Sequence, residues 1–474
     1  MSRWIVRGAL LVLLSFANLN LIWSPDVLPN TLFAWTLVRS GNVDYDEFSS
    51  PSAGGPERPD QLDRNAYFFR GCGPTPSRVT LVPTTSPRSA GGPPPPAPEQ
   101  HVCSIFPPGV AIAALPILVP AVLVGVPASD VTSLLLLGHL VASIIEAIAA
   151  LLLWSVFRRF VSPRWSVGLV LLYFLATSVR TVGSQALWQH AGVHLAIAAA
   201  LWLILEERTI SARRAFLAGL AIGFGTVARQ TTALVLAGIV SRRTFLRTIA
   251  GFGIGIVPLL AYNAIAFGDP FEQGYGSKPF DTPVFTGLYG LLLSPSRGLF
   301  VYAPYLLFAV AALVSAWRAQ GYVATRLRAL GLVALVTLLL YATYTEWWGG
   351  RVFGARFLDD LAPILFAALA WGIGRGLLAP ALWRRAFWVL AGWSVLLFNA
   401  AALVYDQRWD TDPINVNFHP ERLFDWSDPQ WLAVLRALPD GGPRAVVAAA
   451  LSLVIIALLL RLEGHWPRRL SSVR

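Results

Sequence analysis

Residues 131–157 read VTSLLLLGHLVASIIEAIAALLLWSVF, and this stretch decides the fold. It is apolar without alternation and carries one charge, Glu146. A helix of about 20 apolar residues crosses a bilayer core of about 30 Å. A strand of a membrane barrel alternates apolar and polar positions instead, so the stretch excludes a β-barrel.

Similar runs recur on both sides of it. The spans read are 8–23, 131–157, 165–181, 191–206, 214–228, 230–241, 248–267, 299–317, 329–345, 361–374, 386–404 and 445–460, which makes twelve. Composition agrees: 55% of the 474 residues are hydrophobic and 13% are charged, against about 25% charged in soluble proteins. The net charge of +11 does not point to nucleic acid, because most basic residues sit in short patches between apolar runs. That is the positive-inside pattern. Nearly all of them are arginines, Lys278 being the only lysine. With abundant Ala, Leu and Pro, this suggests a GC-rich bacterial genome.

Basic clusters mark the cytoplasmic ends. They are Arg158, Arg159 and Arg164; Arg208, Arg213 and Arg214; Arg242, Arg243 and Arg247; Arg318, Arg326 and Arg328; Arg375, Arg384 and Arg385; and Arg461, Arg468 and Arg469. With twelve spans both termini are cytoplasmic. Arg3 and Arg7 precede the first run, no small-residue cleavage site follows it, and it reads as a retained anchor. The chain divides into a first transmembrane anchor (1–23), a first outer loop (24–130), a transmembrane core (131–404), a C-terminal outer segment (405–444), and a last helix with a cytoplasmic tail (445–474).

Two stretches are less regular. Pro116, Pro120 and Pro127 break the apolar residues 108–127, which read as an interfacial or re-entrant segment on the outer side. Residues 214–241 read as two short helices with Arg229 at their outer junction, since one long helix would invert every later loop.

The outer face then collects the polar segments 24–107, 184–190, 229–230, 268–297, 346–360 and 405–444. The cytoplasmic loops are short and basic, so chemistry is expected outside. Asp26 follows the first span almost at once and lies where a low-dielectric slab meets water. A carboxylate there can act as general base between a lipid-borne and a water-borne substrate; the plainer reading is a flanking residue with no duty. The apolar residues 32–38 suit a helix lying along the membrane surface. Asp44, Asp46 and Glu47 could hold a divalent cation through oxygen ligands, or form a solvated acidic turn. Cys72 and Cys103, the only cysteines, can close a loop of about 30 residues in an oxidising compartment, contributing about 3 kcal/mol. The alternative is two unpaired thiols. The enclosed proline-rich stretch 91–98 is a poor helix or strand former and reads as an excursion.

Gln185, Trp188, Gln189 and His190 combine amides with an aromatic ring, as sugar recognition requires; an aromatic-belt residue with polar neighbours is the alternative. Arg229, Arg297, Arg351 and Arg356 lie near helix ends, where guanidinium groups suit a lipid phosphate. Snorkelling toward phospholipid is the plainer account of each. Gly219, Gly223 and Gly225, with Gly251, Gly253 and Gly255, sit inside apolar helices and read as close-packing positions. No Walker motif, dinucleotide glycine motif or Cys/His metal spacing occurs.

The order of short motifs resembles a family. After Asp26 come Arg39-Ser40-Gly41-Asn42-Val43-Asp44-Tyr45-Asp46-Glu47-Phe48, then Tyr67-Phe68-Phe69-Arg70 and Phe106-Pro107-Pro108-Gly109. Gln185-Ala186-Leu187-Trp188-Gln189-His190, Ser294-Pro295-Ser296-Arg297-Gly298, Trp347-Trp348-Gly349-Gly350 and Phe353-Gly354-Ala355-Arg356 follow. Together these resemble bacterial polytopic glycosyltransferases of the GT-C superfamily, the group of protein O-mannosyltransferases and aminoarabinose transferases. The resemblance implies an all-α polytopic membrane protein, a bundle of about twelve transmembrane helices with a large first outer loop carrying interfacial helices. It implies inverting transfer of a sugar from a polyprenyl-phosphate donor to a lipid, glycan or protein acceptor, on the outer face of the cytoplasmic membrane. Asp26 falls on the family's catalytic acidic residue, and Arg356 and Arg297 are the first choices for the phosphate. Many relatives pair two acidic residues at the first position; Asp26 stands alone, which leaves a divalent cation open.

Two other readings remain. A transporter or flippase for a lipid-linked glycan would need polar groups within spans, for which His139, Glu146 and His194 are the candidates. The third reading is a non-catalytic membrane protein that binds lipid-linked glycan.

Overall fold

A computed structural model of the chain describes residues 2–18, 20–21, 25–50, 62–64, 66–73, 100–206, 210–276 and 278–464. The proline-rich stretch 91–98, Arg208, Arg468 and Arg469 lie outside them. The described chain is predominantly helical, with two small two-stranded sheets. Five helices are long and apolar enough to cross a membrane: Val131–Phe157, Phe245–Phe267, Tyr322–Thr343, Ala381–Val404 and Leu438–Glu463. The other apolar helices are shorter, because apolar runs continue through local helix breaks. The run 165–181 stays helical only to Leu175 and then passes into the π-turn Val179–Gly183. The run 299–317 divides at Ala303, where Pro304 opens a new turn.

Asp130 caps Val131–Phe157 by accepting from the Thr132 and Ser133 amides. The helix Ser2–Phe16 packs against it and against Gly442–Gly464. A buried ion pair, Arg7 Nη2 to Glu463 Oε2 at 2.5 Å, brings the start of the first helix to the end of the last. The basic loops also meet one another. Arg159 donates to the Leu205 carbonyl at 2.7 Å, Glu206 pairs with Arg159 and Arg214, and Arg326 donates to the Val240 carbonyl at 2.6 Å. Ala212–Ala228 and Phe245–Gly255 pack through glycines. A Cβ on Gly219 would lie 2.0 Å from the Thr248 carbonyl oxygen, and one on Gly251 2.0 Å from that of Phe216.

Residues 108–127 depart from the broken segment expected. Gly109–Leu123 is one helix that runs through Pro116 and Pro120. Both prolines are exposed and four residues apart, so their missing N–H groups share the outward face. The opposite stripe, Val110, Ala114, Leu118 and Val122, is buried. This helix packs on Leu28–Trp35, all of whose residues are buried. Of the apolar residues 32–38, those up to Trp35 lie in this buried helix, part of a second apolar core shared by the first loop with Leu134, Val141, Ile145 and Tyr262, whereas Leu37 and Val38 are exposed. Residues 214–241 break where a charged residue interrupts them. Ala212–Ala228 ends at Arg229, which is extended, and Gln230–Leu234 and Val235–Ile239 follow.

In the first loop, Phe69–Cys72 pairs antiparallel with His101–Ser104, and a disulfide joins Cys72 to Cys103. Tyr67 and Phe68 precede one strand, and Ile105 and Phe106 follow the other. All four residues line the cavity described next.

Candidate functional site

A cavity of about 860 Å³ is lined by residues from each of the six polar segments. Asp26, Trp188, Arg229, Tyr275, Arg356 and Asn417 represent them in turn. The walls are mixed. Leu340, Tyr344, Phe280 and Phe357 make an apolar side near the end of Tyr322–Thr343, while charged groups cluster around Asp26.

Asp26 sits in the turn Pro25–Val27, immediately before Leu28–Trp35. Its Oδ1 accepts a hydrogen bond from the Tyr67 hydroxyl. Its Oδ2 lies 3.4 Å from Arg356 Nη1. Desolvation, and then the Asp26 carboxylate, hold the Tyr67 phenol well above its ordinary pKa, so it remains a donor. The Asp26 side chain is 20% exposed, reachable from the cavity while held on both oxygens.

Arg356 is fixed by several partners. Its Nε donates to His190 Nε2 at 2.9 Å, its Nη1 donates to the Gly349 carbonyl at 3.1 Å, and the guanidinium lies 5.5 Å from the Trp188 ring centre. Its Nη2 has no partner among the described residues. Arg351 also lines the cavity, and its guanidinium has no hydrogen-bond or ion-pair partner among them; its Nε is buried. Trp188 Nε1 is buried and also lacks a hydrogen-bond partner among the described residues. Lys278 pairs with Glu346 at 2.7 Å. Arg229 pairs with Asp360 at 3.4 Å and stacks over Phe357 at 4.7 Å. Donors left over in a cavity mark where an acceptor-rich, anionic group is favoured.

The residues singled out by sequence divide. Asp26, Arg229, Arg351, Arg356, Trp188 and Gln189 line the cavity. Gln189 exchanges hydrogen bonds with the Tyr275 hydroxyl at 3.0 and 3.3 Å. Gln185 does not line it: the amide is buried, accepts from Asn18 Nδ2 at 2.5 Å and donates to the Asn20 carbonyl. It ties down the end of the first helix and has no free group for a sugar. His190 is fully buried behind Arg356.

Arg297 is corrected in the same way. It is fully buried, and each of its five N–H groups has an acceptor: the carbonyls of Trp348, Ser296 and Gly350, Gln430 Oε1, and Asp410 Oδ1 at 2.5 Å. No donor remains for a phosphate. The acidic run of the first loop is rearranged too. Asp44, Asp46 and His101 bring their ligand atoms within 4.8 Å of one another, an arrangement able to receive a cation. Glu47 instead accepts from Thr36 and Ser40. None of these four lines the cavity, so a cation there would not touch Asp26.

The polar residues within the apolar runs are also placed. Glu146 is buried, 2.6 Å from His194 Nδ1, and accepts from the Tyr173 hydroxyl at 3.0 Å. His139 packs 4.8 Å from the Phe16 ring. None of Glu146, His194 and His139 lines the cavity.

Sequence reasoning missed Tyr67, Tyr275, Lys278, Glu346 and Asp360. Tyr67 lies within a quoted motif and Tyr275 within the polar segment 268–297, but the contacts that give them a role cross 41 and 86 residues of chain.

Fold and cavity together define a predominantly helical protein with several apolar helices of membrane-spanning length and a large mixed cavity built from its polar segments. No family model matches the chain, and neither a curated protein nor a solved structure matches it.

Proposed function

We propose that this chain is a membrane glycosyltransferase that moves a sugar from a polyprenyl-phosphate donor to an acceptor hydroxyl. In this reading about twelve helices cross the bacterial cytoplasmic membrane, and the cavity opens on the outer face. One observation carries it: a carboxylate, Asp26, shares a cavity with two guanidinium groups, Arg351 and Arg356, that keep donors without a partner among the described residues. Glycosyl transfer from a phosphate needs both. The acceptor O–H passes its proton to Asp26 while its oxygen attacks the anomeric carbon. The bond from that carbon to the phosphate oxygen breaks, and lipid phosphate leaves with the electron pair. Attack opposite the leaving group inverts the anomeric centre. Charge developing on the phosphate is stabilised by Arg351 and Arg356, donors already in place. Trp188 and Gln189 supply the ring and amide for the sugar, and the wall around Leu340, Tyr344 and Phe280 receives the start of the prenyl chain.

The test is mass analysis of cell-envelope glycans in a strain lacking the gene, complemented with wild type or with Asp26→Asn at equal expression. The proposal expects a glycan that disappears on deletion and returns with wild type only. Full restoration by Asp26→Asn would remove Asp26 from catalysis.

A further inference from the structure

The helix Gln189–Ile204 carries two buried histidines four residues apart, His190 and His194, on one face. The two neighbours Asp359 and Asp360 meet them one each. His194 Nε2 lies 2.9 Å from the Asp359 carbonyl oxygen and must donate to it, because a carbonyl only accepts. His190 is constrained the other way. Arg356 Nε lies 2.9 Å from His190 Nε2, whereas Arg229 Nη1 lies 3.2 Å from Nε2 and 3.4 Å from Nδ1, over the ring and off the line of either lone pair. Guanidinium nitrogens only donate, so His190 Nε2 has to be the bare, accepting nitrogen. The ring proton is then on Nδ1, which faces Asp360 Oδ1 at 2.7 Å. Donor and acceptor requirements thus assign one neutral tautomer to His190.

We infer that Asp360, acting through the Nδ1–H tautomer of His190, is a positioning residue for Arg356. The carboxylate selects the tautomer, and the tautomer presents a lone pair that grips the Nε edge of the guanidinium from behind. That grip leaves Nη1 for Gly349 and Asp26, and Nη2 free among the described residues. Arg229 steadies the other carboxylate oxygen of Asp360 at 3.4 Å. An arginine side chain held this way has already lost much of the rotamer freedom that anion binding would otherwise cost. The inference takes the anion to be the lipid phosphate of the proposed function and, to that extent, rests on it.

Two measurements on the full chain in detergent micelles test the arrangement. The first is the ¹⁵N spectrum of the imidazole groups, with His190 identified from the signal lost in His190→Gln. The expected state is neutral and protonated on Nδ1. A proton on Nε2, or an imidazolium, overturns the inference, since neither can accept from Arg356. The second is binding of farnesyl phosphate. Asp360→Ala and His190→Leu should each weaken it about tenfold. Asp360→Asn, which still offers a carbonyl, and His190→Gln, which offers one donor and one acceptor, should stay within about threefold. If the conservative variants lose as much as the truncations, or if Asp360→Ala loses nothing, the positioning role is wrong. If wild type fails to bind farnesyl phosphate, the proposed function fails, and the tautomer measurement still decides the assignment at His190.

Discussion

Replacing Asp410 with Asn should unfold the protein far more readily than replacing Arg351 with Ala, although Arg351 and Arg297, the partner of Asp410, looked alike in sequence. Arg297 and Asp410 are fully buried and meet at 2.5 Å. Asp410 Oδ2 also accepts from the Tyr405 hydroxyl at 2.5 Å, and Gln430 Nε2 donates to both carboxylate oxygens. The Asp410→Asn variant would leave the Arg297 charge buried without a counter-charge and turn an amide N–H toward the donors of Tyr405 and Gln430. Removing one partner of a buried pair costs about 3–5 kcal/mol; a retained carbonyl places this case near the lower figure, roughly a 100-fold shift in the folding equilibrium. Arg351 has no partner to lose among the described residues, so Arg351→Ala should fall within about 0.5 kcal/mol of wild type. Thermal and denaturant stability of the detergent-solubilised chain measures both. The double variant Arg297→Met with Asp410→Leu removes the charges together and should recover much of the loss. If Asp410→Asn is as stable as wild type, or the double variant is worse than the sum of the singles, Arg297 does not have the structural role assigned to it.

Other outcomes follow from the same geometry. Arg351→Ala should weaken prenyl-phosphate binding about tenfold or more, as expected for loss of a charge-assisted contact of about 1.5–3 kcal/mol, read by titration with farnesyl phosphate; unchanged affinity removes it from the anion site. The double variant Cys72→Ala and Cys103→Ala should lose about 3 kcal/mol of stability and raise the donor KM, because the stapled strands carry Tyr67, Phe68, Ile105 and Phe106 into the cavity; unaltered stability and KM would contradict that. Desolvation raises the Tyr67 phenol above its ordinary value near 10, so its proton is held more tightly in the folded chain, and Tyr67 subtracts stability only as pH rises above about 10. Phenolate absorbance should therefore be the same for wild type and Tyr67→Phe up to that pH, and a difference appearing near pH 10 would show an ordinary phenol.

Local features were legible in the sequence. Arg229 inside an apolar run announced a break because one unbroken helix would have inverted the charge bias of every later loop, and the helix ends at that residue. Cys72 and Cys103 stood in one polar loop, and an oxidising compartment together with their proximity suggested the bridge that joins them. The polar segments were grouped by the charge bias of the intervening loops, and each of the six contributes to the cavity wall. What stayed hidden depends on partners far away in the chain. Arg297 and Arg351 differ because Asp410 and Gln430, 113 and 133 residues onward, saturate the first and not the second. Gln185 and Gln189 share a helical spacing, yet the structure ties one to the first helix and points the other at Tyr275. Glu47 lost its place beside Asp44 and Asp46 to His101, which the strand pairing brings across.

The most direct test of the account is turnover by the purified chain in liposomes, using a panel of radiolabelled polyprenyl-phosphate sugars with wild type and Asp26→Asn compared side by side. Transfer from at least one donor, with release of polyprenyl phosphate, should occur with wild type and fall by a factor of about 10² or more when the general base is removed. Turnover by Asp26→Asn equal to wild type, or no transfer from any donor in the panel, would contradict the assignment of this cavity to glycosyl transfer.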